Sequence, residues 1–273
     1  MSFHPNAIVA HGAKVHPSVE VGPFAVIGSN VTIGAGCVIG AGCHLEGWTT
    51  LGSGNKLSPH VVIGCPPQDL KYDGNPSYIQ IGNNNNFREF STVHLAEGAG
   101  LVTTVGDGNL FMAYTHIAHN CHVGSCVIFA NCVTLAGHVH VGDKAVLGGF
   151  AGIHQFVHVG AYSMIGGMSK ITKDVPPYIK IDGNPARVIG LNSVGLKRNG
   201  VPKESIEHIR HVYKIFYRSQ FNVRQAMAEL ERMPEVKDPF VIDFLAFVKE
   251  SKRGIYKRTR DTPADKPADA GDV

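Results

Sequence analysis

Large apolar residues recur at every sixth position over more than half of this chain. The frame runs from Val9 through Val15, Val21, Ile27, Ile33, Ile39, Leu45, Leu51 and Leu57 to Ile63. It resumes at Ile81, Phe87 and Val93, then continues from Val105 to Ile171. Of the 28 frame positions between 9 and 171, only Asp69, Asn75 and Ala99 break it. Two residues before an anchor the side chain is usually small, as at Ala7, Ala13, Ala25, Cys37 and Cys43. An amphipathic helix repeats near 3.6 residues and a half-buried strand at two, so neither explains a period of six. A six-residue unit cannot bury its own apolar side chain and must stack on copies of itself. The fold expected is therefore mainly β, a parallel β-helix with anchor and small residue both pointing inward. The 32 glycines suit the many tight turns of such a coil.

Two segments lack anchors and carry turn residues: 65–78, CPPQDLKYDGNPSY, and 94–104, HLAEGAGLVTT. Insertions into a solenoid become surface loops, often at its binding face. The hexad stops after Asp174-Val175-Pro176-Pro177, and helical patterning begins at Pro202. The organisation expected is a β-helix over 1–190, a C-terminal α-helical domain over 191–256 and a disordered tail over 257–273.

No apolar run approaches the roughly 20 residues that span a bilayer, so no integral membrane segment is expected. The opening MSFHPNAIVAHG lacks a basic segment followed by an apolar one, and the six cysteines form no CxxC pair. A cytoplasmic protein with reduced thiols is expected. Residues 192–260 hold 15 of the 25 Lys and Arg but only 8 of the 22 Asp and Glu. That excess reads as a solvated helical face or as a docking surface for an acidic partner, protein or nucleic acid.

The hexad resembles that of the hexapeptide-repeat acyltransferases. The resemblance implies a left-handed coil with three strands, hence three hexads, per turn, and assembly as a homotrimer. Within HIAHNCHVG, residues 116–124, Ile117 and Val123 are anchors while Thr115 and Cys121 are small inward positions. His116, His119 and His122 therefore fall on outward or turn positions. Three hexads per turn stack His119 beneath Gly137 and Gln155, about 4.8 Å per coil. His138 and His154 flank that column, and His122, His140 and His158 form a second outward ladder. Histidines hold zinc in hexapeptide-repeat carbonic anhydrases, so a metal site is one reading of the cluster and a catalytic base the other. The second ladder is poor as bare surface, which makes it a candidate contact between copies.

Six segments closely resemble motifs of the UDP-N-acetylglucosamine 3-O-acyltransferases: QDLKY (68–72), HIAHNC (116–121), LAGHV (135–139), HQF (154–156), DVPPY (174–178) and GLKR (195–198). The match is nearly colinear from Ile8 to about Tyr256. It implies transfer of a 3-hydroxyacyl chain from acyl carrier protein to the 3-OH of UDP-N-acetylglucosamine, the first step of lipid A biosynthesis. No metal, cofactor or covalent enzyme intermediate is implied. A hydroxyl is a weak nucleophile at neutral pH and needs a base, a role suited to histidine. The resemblance puts that base on His119, its orientation on Asn120 and the oxyanion donor on the Gly137 backbone N–H. It puts sugar-nucleotide contacts on Gln68, Asp69, Lys71, His116, His138, His154 and Gln155, with Asn192 and Arg198 near uridine and phosphates. Gly167 is the position that limits the acyl groove, and glycine there leaves room for a long chain. Arg210, Lys214 and Arg218, four residues apart, are expected on one helical face that docks the acidic carrier protein rather than a nucleic acid.

Three positions depart from the family pattern. Asn120 stands where aspartate is usual, Pro185 in GNPA (183–186) where histidine is, and Val194 where glutamate is common. Members that acylate a 3-amino analogue of the sugar also belong to this family, so that acceptor is the alternative. A related N-acyltransferase carries a uridine-binding domain before its β-helix, whereas this hexad begins at Val9. A non-catalytic β-helical scaffold would explain the hexad but not QDLKY, LAGH and HQF together.

Overall fold

A computed structural model describes residues 2–256, so the expected disordered tail, 257–273, lies outside the described residues. Most strands of the coil are two residues long and end on an anchor, as in His116–Ile117, Thr134–Leu135 and Gly152–Ile153. They stack into sheets of 11, 9 and 8 strands, the three walls of a left-handed β-helix. The sheets are named here first, second and third in the order the chain visits them. Every anchor of the frame from Val21 to Ile171 is at most 3 % exposed. Removing that much apolar surface from water holds the coils together, at about 25 cal/mol per Å².

At most corners a residue of left-handed conformation makes the turn three positions before the anchor. At the corner between second and third sheets these are Asn120, His138 and Phe156, with φ of 58°, 61° and 64°. Inside the corner between third and first sheets runs a ladder of buried Asn55, Asn85 and Asn109. The Asn55 Oδ1 accepts from the N–H and Nδ2 of Asn85 at 3.0 Å each. The Asn85 Oδ1 accepts in turn from the N–H and Nδ2 of Asn109, at 3.0 and 2.9 Å. Each buried amide is thus satisfied by the next coil.

Both insertions leave the same corner, between second and third sheets. One joins Val62–Cys65 to Tyr78–Ile81, the other Thr92–His94 to Val102–Val105. Uninterrupted coils pair residues eighteen apart, as His122 with His140. Trp48 pairs instead with Tyr78 and Tyr78 with Val102, thirty and twenty-four apart. The inserts add two hexads and one hexad, which is why the frame survives them. The loops are shorter than expected, 66–77 and 95–101 rather than 65–78 and 94–104. Flanking residues extend the ladders, with Cys65 paired to His94 and Tyr78 to Val102.

The strand Ile179–Gly183 pairs parallel to Met164–Ile165 and antiparallel to Ala186–Leu191, so a hairpin closes the apolar end of the coil. The coil thus runs one residue past the expected boundary. Helices α1 (Ser193–Arg198), α2 (Lys203–Tyr213), α3 (Val223–Leu230) and α4 (Pro239–Glu250) follow. Helix α2 buries Ile206, Ile209 and Val212, and α4 buries Val241, Phe244, Leu245 and Val248. After α2 the chain winds into a π-helical segment, Lys214–Arg218. Lys214 and Arg218 thus stand at the two ends of this wider turn, beyond the regular helix that holds Arg210. Arg210 pairs with Glu207, Arg218 lies 5.7 Å from the Tyr213 ring centroid, and Lys214 is exposed. Among the described residues no helix is long and apolar enough to cross a membrane.

Candidate active site

The corner between second and third sheets collects the polar side chains that both loops then cover. The two short strands ending at Ile117 and Leu135 bury their anchors, which leaves His119 and Gly137 on successive coils of the corner. A coil-to-coil hydrogen bond, His138 N–H to the His119 carbonyl at 3.0 Å, locks that register. The His119 imidazole lies directly over Gly137: a Cβ built there would come within 2.4 Å of both Cε1 and Nε2. Glycine is required by this contact, not by its own φ. Gly137 is buried, and its N–H has no hydrogen-bond acceptor among the described residues.

The His119 ring has two partners, one from the corner itself and one from the first loop. Its Nδ1 is 2.8 Å from Asn120 Oδ1, and its Nε2 is 3.8 Å from Asp69 Oδ2 in the first loop. The Asp69 Oδ1 accepts from the Lys71 N–H at 3.0 Å, which fixes the carboxylate that faces His119. The His138 ring stands edge-on to His119, centroids 5.2 Å apart, and stacks on Phe156 at 4.5 Å. His116 hydrogen-bonds Thr92 Oγ1 through Nδ1 at 2.7 Å and meets the His94 ring at 5.0 Å. His94 is 7 % exposed and ties down the first loop, its Nδ1 lying 2.9 Å from the Pro66 carbonyl.

Burial, then the neighbouring His94 and His119, push His116 down to about 4. Burial also lowers His94 and His138, each with a smaller contribution from His119. The imidazoles around His119 are held neutral, so a proton taken up there meets no cationic neighbour.

The chain thus brings together Asp69, His116, His119, Asn120, Gly137 and His138. Gln68 and Lys71 are exposed on the same loop, and His154 and Gln155 are exposed one coil beyond Gly137. Asn192 caps α1, at the corner between third and first sheets, and Arg198 ends that helix. The Asn192 amide accepts from the Gly195 N–H at 3.1 Å and donates to the Tyr162 carbonyl at 2.8 Å, and the residue is 5 % exposed. Gly167 lies on the corner between first and second sheets, where a Cβ would come within 3.2 Å of the Gly149 carbonyl oxygen. His122, His140 and His158 do form a ladder on the third sheet, centroids 4.6 and 4.4 Å apart. His94, Glu97 and Thr103 escape sequence reading, because they lie at or inside the second insertion, where the hexad gives no frame.

Comparison with known proteins identifies the family to which this fold belongs. The family model for Udp N-acetylglucosamine O-acyltransferase, domain 2, matches residues 174–256, and the bacterial transferase hexapeptide model matches 30–65 and 103–137. The acyl-[acyl-carrier-protein]–UDP-N-acetylglucosamine O-acyltransferase of Thermodesulfovibrio yellowstonii is 44% identical over 93% of this chain and 98% of its own. That of Verminephrobacter eiseniae is 46% identical over 94% and 99%. The solved UDP-N-acetylglucosamine acyltransferase of Francisella novicida superposes with a TM-score of 0.90, at 36% identity, covering 93% of this chain and 94% of that one. The chain belongs to the acyl-[acyl-carrier-protein]–UDP-N-acetylglucosamine O-acyltransferase family.

Proposed function

We propose that this acyltransferase moves a 3-hydroxyacyl chain from acyl carrier protein to the 3-OH of UDP-N-acetylglucosamine, with His119 as general base. The observation that carries this reading is the His119 imidazole poised over the buried, unpartnered Gly137 N–H. With Nδ1 turned to Asn120, Nε2 is the nitrogen left to receive the hydroxyl proton. As the proton leaves, the sugar oxygen bonds to the thioester carbon, and the carbonyl oxygen becomes an oxyanion beside the Gly137 N–H. Collapse expels the carrier thiolate, which takes the proton back from His119. Nothing in this sequence of steps requires a bond to the enzyme. Asp69, His116 and His138 line the place the sugar would occupy, with Gln68, Lys71, His154 and Gln155 at its rim. A 3-amino acceptor would use the same geometry with a stronger nucleophile. The discriminating experiment offers both sugar nucleotides with a mixed pool of 3-hydroxyacyl carrier proteins, and identifies the products by mass spectrometry. No product from either sugar would sink the reading.

The working unit in this reading is a cytoplasmic homotrimer. Asn192 and Arg198 lie at a different corner from His119, so a second copy must bring them to the sugar nucleotide if they bind it. The corner between first and second sheets, rather than the histidine ladder, carries the apolar surface that copies would cover. Phe24, Phe90, Tyr114, Phe150 and Met168 all project there, Phe150 63 % and Met168 75 % exposed. In this reading the acyl groove passes Gly167, which lies on the same corner as this ridge.

A further inference from the structure

The structure assigns the second inserted loop a part in positioning the base: the Glu97 backbone, acting through the Asn120 amide, holds the His119 proton on Nδ1. The inference rests on the general-base reading of His119 and adds what sets that base without a charge.

The Asn120 side chain meets both polar groups of Glu97. Its Oδ1 accepts from the Glu97 N–H at 2.9 Å, and its Nδ2 donates to the Glu97 carbonyl at 3.1 Å. Only one orientation of the amide satisfies both. The reverse would set donor against donor and oxygen against oxygen. The same Oδ1 also lies 2.8 Å from His119 Nδ1. An amide oxygen only accepts, so Nδ1 must carry the hydrogen, and in the neutral ring Nε2 then keeps its lone pair.

The latch is rigid from both sides. Asn120 is 6 % exposed, has a φ of 58°, and donates its backbone N–H to Thr103 Oγ1 at 2.9 Å. Asparagine is among the few side chains that adopt this backbone conformation readily. Glu97 follows Leu95 and Ala96, which are 3 % and 0 % exposed. Leu95 packs against Gly47, and its N–H donates to the Cys65 carbonyl at 3.1 Å. Gly100 in the same loop donates to the Pro76 carbonyl of the first loop at 2.8 Å, so the two loops that flank His119 are joined. A carboxylate at 120 could still accept from His119 and from the Glu97 N–H. Its second oxygen, however, would face the Glu97 carbonyl where Nδ2 now donates. In this chain the amide and the loop form one device.

Nitrogen-15 NMR of labelled protein reads the tautomer directly, whether or not substrate identity is right. Wild-type His119 is expected as one neutral tautomer with hydrogen on Nδ1, and the Glu97 amide as slow to exchange. In Asn120→Ala the two tautomers should mix, and the Glu97 amide should exchange more than about tenfold faster. The transfer rate should fall in kcat, about 10- to 100-fold, with KM for the sugar nucleotide within about twofold of wild type. If that variant folds poorly, Asn120→Asp keeps the acceptor and adds a charge. Its acid limb should move up by about one unit or more, because a carboxylate stabilises the imidazolium. Hydrogen on Nε2 in the wild type, an unchanged tautomer in Asn120→Ala, or a loss confined to KM would overturn the assignment. Lack of transfer by the wild type with a single Nδ1–H tautomer would instead refute the proposed function and leave the latch standing.

Discussion

At the scale of single residues, the site depends on what does not fill the corner. The His119 ring occupies the space a side chain at 137 would need, so Gly137→Ala should displace the imidazole. His119 is outside the apolar core, and its removal leaves no cavity in the coil. His119→Ala should therefore lose about 10² to 10⁴ in kcat with little change in melting temperature. Gly137→Ala should show a comparable loss of kcat. Measuring kcat and melting temperature for both variants checks this, and near-normal turnover in either would refute the roles given to them. Cys121 shows the opposite case: burial pushes its thiol up to about 12, so this neighbour of the base is inert.

At the scale of elements, the asparagine ladder and the π-helical segment make separate predictions. Asn85→Ala removes the acceptor for the N–H and Nδ2 of Asn109, both inside the coil. Each buried group left unsatisfied costs about 1–3 kcal/mol, so the denaturation midpoint should drop accordingly. An unchanged midpoint would mean water enters the coil freely at that corner. On the helical domain, Lys214 is the cation of the three that has no ion-pair or ring partner among the described residues. Lys214→Glu combined with Arg218→Glu should lower kcat/KM for the carrier protein, and added salt should narrow the gap to wild type. Equal carrier dependence in wild type and variant at low salt would assign the positive surface elsewhere.

At the scale of the whole molecule, stability and assembly respond to different surfaces. Burial, followed by His158, His122 and His138, pushes His140 down to about 4, as burial does for His116. Unfolded histidines take up protons near pH 6.5, before these folded ones do. The unfolded state then binds more protons, so stability falls as pH drops from about 6.5 towards 4. Denaturant midpoints across that range should show the loss, and a combined His116→Gln, His140→Gln variant should reduce it. Its outward side chain is partly solvated, so His140 contributes the smaller share. Assembly rests on the apolar ridge. Phe150→Glu with Met168→Glu should turn a trimer into smaller species by light scattering, and a variant that stays trimeric would move the contact off that corner.

Much of this was readable in one dimension because the coil is a one-dimensional object. Each anchor stacks on the anchors of the adjoining coils, eighteen residues away where no loop intervenes, so a periodic list of apolar residues is already a map of the core. The frame even survived the insertions, since they add whole hexads. His119 over Gly137 follows from that register alone. The loops obey no period, so only folding revealed that Asp69 reaches Nε2, that His94 ties down the first loop and that Glu97 latches Asn120. Those contacts depend on both insertions leaving one corner and joining at Gly100 and Pro76. The π-helical turn over Lys214–Arg218 was likewise not legible, because four-residue spacing fits a regular helix equally well. Local period decided the coil. Tertiary contact between non-periodic segments decided the chemistry around His119.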